Sequence, residues 1–285
     1  MKFYIKNHTL NSKKCLKEVI VAHISDLHFS KKIESDLLKE ITSEFIHAQP
    51  DMICFTGDLL DEAILADSLV IRELLISWLN VLGNIAPVYI IRGNHDSLVH
   101  TSEGWTYYCN DAFFEELNNI SNVHVLKNET IQTNSMLLSD IDIGNKSEEY
   151  YTNGKESLES FNKYVRPSIE NLNNNIDPDV FNLLMIHSPR NLDAELLEKY
   201  NAILSGHMHD GVVPNFLDRI VPGNRGLIAP VSGFFPKYAR GVVQLSEDST
   251  NYIASPLVVS ANHYDKKLIR TLYKPGISYI DIKKK

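Results

Sequence analysis

Five short clusters of polar residues could bind metal ions, and each cluster follows an apolar run. The clusters combine carboxylate oxygens, an amide oxygen and imidazole nitrogens, and they contain no thiolate. These ligand types suit Mn, Fe or Zn better than a calcium site, which is built from oxygens. In chain order the clusters supply Asp26 and His28, Asp58 and Asp61, Asn94, His95 and Asp96, His187, and finally His207 and His209.

The spacing within the clusters is compatible with two ions. Alternation along an extended segment puts Asp26 and His28 on one face, so both can bind the same ion. His207 and His209 have the same spacing but lie beside a glycine turn, so they can point to different ions. Asp58 can bridge two cations through its two oxygens. Two ions about 3.5–4 Å apart can clamp a phosphoryl group and generate a hydroxide at neutral pH.

Strands and helices alternate in the first half of the chain and would bring the first three clusters together. The carboxyl ends of parallel strands form the usual ligand-binding edge of an α/β sheet. A single Asp or His at a strand end is most often a cap or a solvated turn residue, but five such ends in one chain are very improbable by chance. The predicted elements are strand Val19–Ser25, helix Ile33–His47, strand Met52–Thr56, helix Ala63–Leu82 and strand Val88–Ile91.

The second half repeats the pattern after a less regular middle region. Strands Phe181–Ile186 and Ala202–Ser205 lead into His187 and into the Gly206 turn that carries the last two histidines. No linker or composition shift divides the chain, so we predict one domain over residues 1–285. The other predicted elements are helices Asp111–Leu117 and Glu156–Leu172 and strands Val123–Leu126, Ile131–Ile143, Gly241–Leu245, Asn251–Ala254 and Ser278–Ile282.

In type and order, these clusters resemble the signature blocks of the calcineurin-like metallophosphoesterase superfamily, all five of which occur between Asp26 and His209. The resemblance implies an α/β fold with a two-sheet β-sandwich flanked by helices, a four-layer αββα arrangement. It also implies two divalent or trivalent metal ions. The first site would consist of Asp26, His28, Asp58 and His209, and the second of Asp58, Asn94, His187 and His207.

The same resemblance assigns roles to residues beside the ligands. His95 matches the family histidine that protonates the leaving oxygen or stabilises the transition state. Asp61 and Asp96 would orient ligands or His95. Arg92 precedes Gly93, as in the protein-phosphatase branch, where an arginine contacts phosphate; the alternative is a solvated or salt-bridged turn residue. We therefore group His95, Asp96 and Arg92 as candidate catalytic residues.

The region after His209 resembles bacterial members that act on lipid-linked or nucleotide-sugar phosphates, including relatives of UDP-diacylglucosamine hydrolases. Pro222, Pro230 and the run Lys237–Gly241 carry this resemblance. Those proteins usually continue the last histidine block with Gly-Gly-Gln, whereas this chain has Asp210-Gly211-Val212. Phe234-Phe235-Pro236 could line an apolar substrate groove, touch a membrane surface or pack in the usual way.

Composition restricts the partners and the location. The chain has 285 residues and a formal net charge of −8, which argues against broad nucleic-acid binding. Three widely spaced cysteines without a C-x-x-C pair argue against a disulfide framework or a thiolate metal site. No apolar run approaches a membrane span, and the N-terminus lacks the apolar core of a signal peptide, so we expect a cytoplasmic protein with at most peripheral membrane contact.

The sequence therefore predicts a dinuclear metal-dependent phosphoesterase in which a metal-bridging hydroxide attacks a phosphodiester or pyrophosphate, with a small-molecule or lipid phosphoester as substrate. Two alternatives stay open. One is a phosphoprotein or phosphomonoester phosphatase, although the Arg-Gly that follows the second block in the protein-phosphatase branch is missing here. The other is a metal-binding interaction scaffold without catalysis.

Overall fold

The computed structural model describes residues 3–30, 35–151, 156–217, 219–221, 223–229, 233–257, 272–273 and 275–285. Two six-stranded sheets form its centre. The strands of these sheets, in chain order, are β1 (Tyr4–Ser12), β2 (Val19–Ile24), β3 (Met52–Thr56), β4 (Val88–Ile91), β7 (Val123–Val125), β8 (Thr130–Gln132), β9 (Leu137–Ile141), β10 (Asn182–Ile186), β11 (Ala202–Ser205), β14 (Gly241–Gln244), β15 (Thr250–Ile253) and β16 (Gly276–Lys284).

The order of strands within each sheet brings the predicted site strands side by side. The first sheet has the order β1-β16-β2-β3-β4-β7, and the second has the order β14-β15-β11-β10-β9-β8. Strands β2, β3 and β4 pair in parallel, and so do β9, β10 and β11. Parallel pairing places the carboxyl ends of neighbouring strands at one edge, where loops can share a ligand.

Successive residues of a strand pack on opposite faces of the sheet, one against the helices and the other against the second sheet. In β3, Ile53 and Phe55 join a buried cluster with the helices, whereas Met52 and Cys54 join a different cluster with residues of the second sheet. This alternation follows from the two-residue period of a strand, which points successive side chains to opposite faces. The inter-sheet cluster also contains Val21, Tyr89, Leu183 and Leu204.

Helices cover the outer face of each sheet. The main helices are α1 (Ser35–Ala48), α2 (Leu69–Gly83), α3 (Asp111–Leu117), α4 (Ser147–Tyr150), α5 (Leu158–Ser160), α6 (Arg166–Leu172) and α7 (Ala194–Leu197). In α2 the buried residues recur at helical spacing, with Ile71, Leu75, Trp78, Leu79 and Leu82 facing the first sheet's cluster. Helix α6 contributes Ile169 and Leu172 to the cluster behind the second sheet. The predicted two-sheet sandwich flanked by helices is confirmed.

Several predicted boundaries differ from the structure for local reasons. The helix predicted from Ala63 is divided, because Ser68 adopts an extended backbone between the 3-10 turn Ala63–Asp67 and α2. The strand predicted over Ile131–Ile143 is the antiparallel pair β8 and β9. In the helix predicted over Glu156–Leu172, a π-helical segment, Phe161–Val165, joins α5 to α6. Ile33, the predicted start of the first helix, lies outside the described residues, as do Pro222 and Pro230.

Three elements were not predicted. Strand β1 forms the edge of the first sheet and pairs in parallel with β16. A short hairpin, β5 (Leu98–Thr101) and β6 (Gly104–Tyr107), contains the aromatic segment that follows His95. The strands β12 (Ile228–Ala229) and β13 (Gly233–Phe234) form a second short hairpin. Within the part of the chain that the structure describes, no helix has the length and apolar character needed to cross a membrane.

Candidate metal centre

Loops from both sheets meet where β2, β3, β4, β10 and β11 end. Backbone hydrogen bonds fix these loops to one another: the Asp26 N–H donates to the Gly57 carbonyl at 3.0 Å, and the His28 N–H donates to the Asp58 carbonyl at 3.0 Å. Between the strand ends of the second sheet, the Gly206 N–H donates to the His187 carbonyl at 2.8 Å. The side chains of the five predicted clusters are thereby held around one point.

Five of the predicted ligands have left-handed backbone conformations. The φ angles are 53° for Asp26, 47° for His28, 52° for Asp58, 65° for His207 and 48° for His209. Such conformations are sparsely populated by residues other than glycine and cost on the order of 1–3 kcal/mol each. Their concentration at these positions turns successive side chains inward, and strain of this kind is characteristic of a functional site.

Close approach explains the glycines that precede these side chains. A Cβ at Gly206 would overlap the Ser25 hydroxyl and the Asp26 carboxylate. At Gly93 it would overlap both the backbone and the carboxylate of Asp58. Both positions therefore require the absence of a side chain so that two loops can pack closely against buried carboxylates.

The first ligand cluster comprises Asp26, His28, Asp58 and His209, whose ligand atoms all lie within 4.8 Å of one another. The Nε2 atoms of His28 and His209 are 3.1 Å apart. His209 Nε2 lies 3.4 Å from Asp26 Oδ1, and His28 Nε2 lies 3.8 Å from Asp58 Oδ2. Asp26, His28 and Asp58 are buried. These are the four residues predicted for the first ion.

The second cluster contains Asp58, His187 and His207, again with ligand atoms within 4.8 Å of one another. His187 Nε2 lies 3.3 Å from Asp58 Oδ2 and 3.1 Å from Asn94 Oδ1. His207 Nδ1 lies 3.2 Å from His187 Nε2. The structure thus brings together all four residues predicted for the second ion, and Asp58 belongs to both clusters.

The ionisation behaviour of the clusters shows strong coupling between carboxylates and imidazoles. Burial raises the pKa of Asp26, but the hydrogen bond from His209 and the nearby histidine charges outweigh burial and lower it to about 2. For Asp58, burial is outweighed by the charges of His187 and His95, so its pKa lies well below the usual value. Burial lowers the pKa of His187, but Asp58 raises it to about 10.

The donor set fits metal ions. Buried carboxylates are stable when they are paired or coordinate a cation, and here two of them face four histidines across a common space. Neutral imidazoles, carboxylates and an amide oxygen are suitable ligands for transition-metal ions. Asp26, His28, Asp58 and His209 would hold one ion, and Asp58, Asn94, His187 and His207 would hold the other.

His95 lies beside the ligands, and its ring is held on three sides. Its Nδ1 lies 2.7 Å from the Asp61 carbonyl oxygen, which fixes Nδ1–H as the donor and leaves Nε2 for a substrate oxygen. Its ring is edge-to-face with His28 at a centroid distance of 4.6 Å and with Trp105 at 5.1 Å. The backbone N–H of His95 donates to Asp58 Oδ1 at 2.8 Å.

Asp61 and Asp96 have different roles in the structure. The Asp61 carboxylate lies 3.6 Å from His28 Nδ1, and the Asp61 carbonyl oxygen lies 2.7 Å from His95 Nδ1, so Asp61 is next to both rings. Asp96, predicted to support His95 and grouped with the catalytic residues, instead accepts hydrogen bonds from the backbone N–H groups of Leu59, Leu60 and Gly93. Burial and the Asp58 charge raise the pKa of Asp96 to about 7. It ties the Asp58 loop to the Gly93 turn.

Arg92 is salt-bridged, which was one of the two alternatives left open. Its guanidinium donates to both oxygens of Asp142, at 3.2 and 2.5 Å, and to Asp111 at 2.5 Å. It also lies over the Phe114 ring at 5.6 Å. Because Nε and both Nη atoms have carboxylate partners, the structure favours a structural ion pair over a phosphate contact, and the grouping of Arg92 with the catalytic residues is not supported.

Glu156 is a residue of the site that the sequence reasoning missed. It was placed at the start of a predicted amphipathic helix, but its buried carboxylate lies 3.3 Å from His207 Nε2. Burial raises the pKa of Glu156, although the hydrogen bond from Ser188 opposes that rise. In the structure Glu156 precedes the N-cap residue Ser157 and so lies outside the helix. Its separation in the chain of 32 residues from Ser188, and of more from His207, hid these contacts from local sequence patterns.

The four-layer fold and the paired ligand clusters define a candidate dinuclear metal centre at the edge of a β-sandwich. A family model described as calcineurin-like phosphoesterase matches residues 20–211. The match covers more than half of the chain, which therefore belongs to the calcineurin-like phosphoesterase family. The predicted family is thereby confirmed, and the family and the clusters together support binding of divalent metal ions.

Two relatives illustrate the similarity. An uncharacterized metallophosphoesterase of Campylobacter jejuni is 22% identical over 246 residues, which cover 86% of this chain and 54% of that protein. The chain thus spans about half the length of this curated relative. The crystal structure of a dimetal phosphatase from Danio rerio superposes with a TM-score of 0.50 at 10% identity, covering 84% of this chain and 87% of that one. At this level of identity the superposition shows the shared fold.

Proposed function

We propose that the protein is a dinuclear metal-dependent phosphoesterase. The observation that carries the proposal is the pair of buried ligand clusters that share Asp58, with His95 directly beside them. When bound, two metal ions supply Lewis-acid stabilisation of phosphoryl charge and lower the pKa of bound water. We propose Mn, Fe or Zn as the ions, because the ligands are carboxylates, imidazoles and an amide without thiolate.

In this proposal the chain's own residues position the substrate and move one proton. The Asp61 carbonyl accepts the Nδ1–H of His95, so Nε2 faces the leaving oxygen and would donate a proton to it from the imidazolium, which carries a proton on both nitrogens. Asp96 and the glycine turns keep the loops of both clusters in register. Trp105 forms one wall beside His95, where the leaving group would lie.

We further propose that the substrate is a phosphodiester or pyrophosphate of a lipid or nucleotide. A lipid-linked substrate is supported by the segment after His209, where Phe234 is 79% exposed and Phe235 is 63% exposed rather than packed in the core. This segment contacts the site region through the Leu227 N–H, which donates to the Gly211 carbonyl at 2.8 Å. The resemblance to UDP-diacylglucosamine hydrolase relatives stays a prediction.

The same segment supports a proposal of peripheral membrane contact for a cytoplasmic protein. Arg225 and Lys237 are exposed and lie opposite each other in the hairpin that carries Phe234 and Phe235. Apolar side chains flanked by cations suit an anionic bilayer surface, although the whole chain is acidic.

The double variant Phe234→Asp/Phe235→Asp should therefore reduce sedimentation of the protein with phosphatidylglycerol vesicles. Unchanged sedimentation would refute the contact.

The catalytic proposal is tested with His95→Ala and a substrate panel. With Mn²⁺ bound, the variant should hydrolyse bis(p-nitrophenyl) phosphate about 10²–10⁴-fold more slowly than wild type, because general-acid catalysis contributes that much. His47→Ala, at the exposed C-terminal end of α1, is the matched control and should keep full activity. The panel compares this diester with p-nitrophenyl phosphate, a nucleotide pyrophosphate, a lipid pyrophosphate and a phosphopeptide.

Each outcome of the panel separates the candidates. Preferred turnover of the phosphopeptide or of p-nitrophenyl phosphate would favour a phosphatase over a diesterase. Bound metal without turnover of any phosphoester would favour a non-catalytic metal-binding scaffold. Full activity in His95→Ala would remove His95 from the mechanism.

A further inference from the structure

Glu156 is a fully buried acid held in place at the edge of the second ligand cluster. It lies just before α5, whose first turn is closed by a capping box between Ser157 and Ser160. The Glu156 side chain has 0% exposure. A carboxylate at such depth is costly unless it is paired or hydrogen-bonded. Its partners therefore indicate why it is there.

One oxygen of Glu156 is anchored by neighbouring side chains. Oε2 accepts a hydrogen bond from the Ser188 hydroxyl at 2.8 Å and from the Tyr150 hydroxyl at 3.4 Å. Arg190 Nε lies 4.0 Å from the same oxygen. Ser188 and Arg190 lie one and three residues after His187 in the chain, so the anchor is part of the loop that carries a predicted ligand.

The other oxygen faces the imidazole of His207. Glu156 Oε1 lies 3.3 Å from His207 Nε2. Among the described residues, neither of these two buried atoms has a hydrogen-bond partner, so at 3.3 Å each is the polar group available to satisfy the other. On the opposite edge of the ring, His207 Nδ1 faces the cluster and lies 3.2 Å from His187 Nε2.

We propose that Glu156 is a positioning residue for the second metal ion. Its carboxylate accepts the Nε2–H of His207 and so directs the Nδ1 lone pair of that histidine into the cluster. The inference rests on the proposed dinuclear centre. A neutral imidazole carries its proton on one nitrogen only, and the partner of that nitrogen determines which one binds metal. A carboxylate behind a ligating histidine fixes both tautomer and ring orientation and strengthens the ligand.

The test is a metal-binding titration of Glu156→Gln in the full chain. Gln keeps the size of the side chain but lacks its charge, and its amide can present N–H instead of oxygen to Nε2. Calorimetry with Mn²⁺ should show the affinity of one of the two binding steps reduced about 10–100-fold and the other step unchanged. Glu159→Gln, an exposed glutamate three residues further along in α5, is the matched control and should bind both ions like wild type.

A double-mutant cycle distinguishes positioning from a general structural role. His207→Ala should weaken the same binding step, and adding Glu156→Gln to it should cause little further loss, because Glu156 acts through His207. Additive losses would overturn the proposal, as would unchanged binding of both ions in Glu156→Gln. A lowered melting temperature of the metal-free variant with normal affinity would assign Glu156 to folding alone.

Ser188→Ala provides a second variant should Glu156→Gln fail to fold. It removes the hydrogen bond to Oε2 and retains the Glu156 charge, so we expect a smaller loss at the same binding step; no loss at that step would count against the proposal. The binding readout is independent of turnover. If wild type binds two ions but hydrolyses no phosphoester, the proposed function fails while the role of Glu156 is still decided by the titration.

Discussion

At the scale of single residues, Asp58 connects every part of the centre. Its carboxylate belongs to both ligand clusters, accepts the backbone N–H of His95 and lies against Gly93. The sequence predicted Asp58 as a candidate bridging ligand, because strand-end ligands are recognisable by residue type and spacing. The partners of buried acids were not: Glu156 and Asp96 find theirs through tertiary contacts.

Asp140 allows a pH-dependence prediction at a buried acid away from the centre. It accepts hydrogen bonds from the backbone N–H groups of Asn128 and Glu129, but burial still raises its pKa to about 7. The folded protein therefore holds this proton more tightly than the unfolded chain does. The contribution of Asp140 to stability is greatest below pH 4 and declines as the pH rises to about 7.

Urea unfolding of metal-free wild type and Asp140→Asn between pH 4.5 and 8 measures this effect. The free energy of unfolding of wild type minus that of the variant should fall by on the order of 3 kcal/mol as the pH rises from 4.5 to 8. Asp36→Asn, at an exposed position in α1, should show a profile parallel to wild type. A parallel profile for Asp140→Asn would contradict the raised pKa.

At the scale of elements, Arg92 joins the end of β4 to α3 and to the loop after β9. The Asp142 side chain is buried, and Asp111 lies in the first turn of α3. The sequence indicated the strand end but left the role of Arg92 open, since both of its carboxylate partners are distant in the chain. For the same reason the pairing of β1 with β16, nearly the whole chain apart, was missed.

Arg92→Ala should destabilise the protein by about 3–5 kcal/mol, because it leaves buried Asp142 without its cation. Arg72→Ala is the matched control: Arg72 also pairs with a carboxylate and lies over a phenylalanine of α3, but in a more exposed position. We expect it to cost about 1 kcal/mol or less. Chemical denaturation measures both values. If Arg92→Ala kept its stability and raised KM instead, the phosphate role would be restored.

At the scale of the whole molecule, two sheets bring candidate ligands from residues 26–94 and from residues 187–209 to one edge. Periodicity and strand-end chemistry predicted alternating strands and helices and singled out the seven candidate ligands, whereas the two-sheet sandwich and the division of the ligands between two ions came from the family resemblance. They could not predict the hairpin that places Trp105 against His95, because its short aromatic strands are also compatible with a loop. The central claim is that this assembly makes one dinuclear, catalytic metal centre through Asp58.

Metal content and turnover of Asp58→Asn test that claim most directly. Protein stripped with a chelator and reloaded with Mn²⁺ is assayed for ions per chain and for hydrolysis of bis(p-nitrophenyl) phosphate, with Asp36→Asn as the control. We predict two ions per chain and metal-dependent turnover in wild type, and in Asp58→Asn weakened binding at both sites with turnover at least about 100-fold lower. Two tightly bound ions and full turnover in Asp58→Asn would contradict the account.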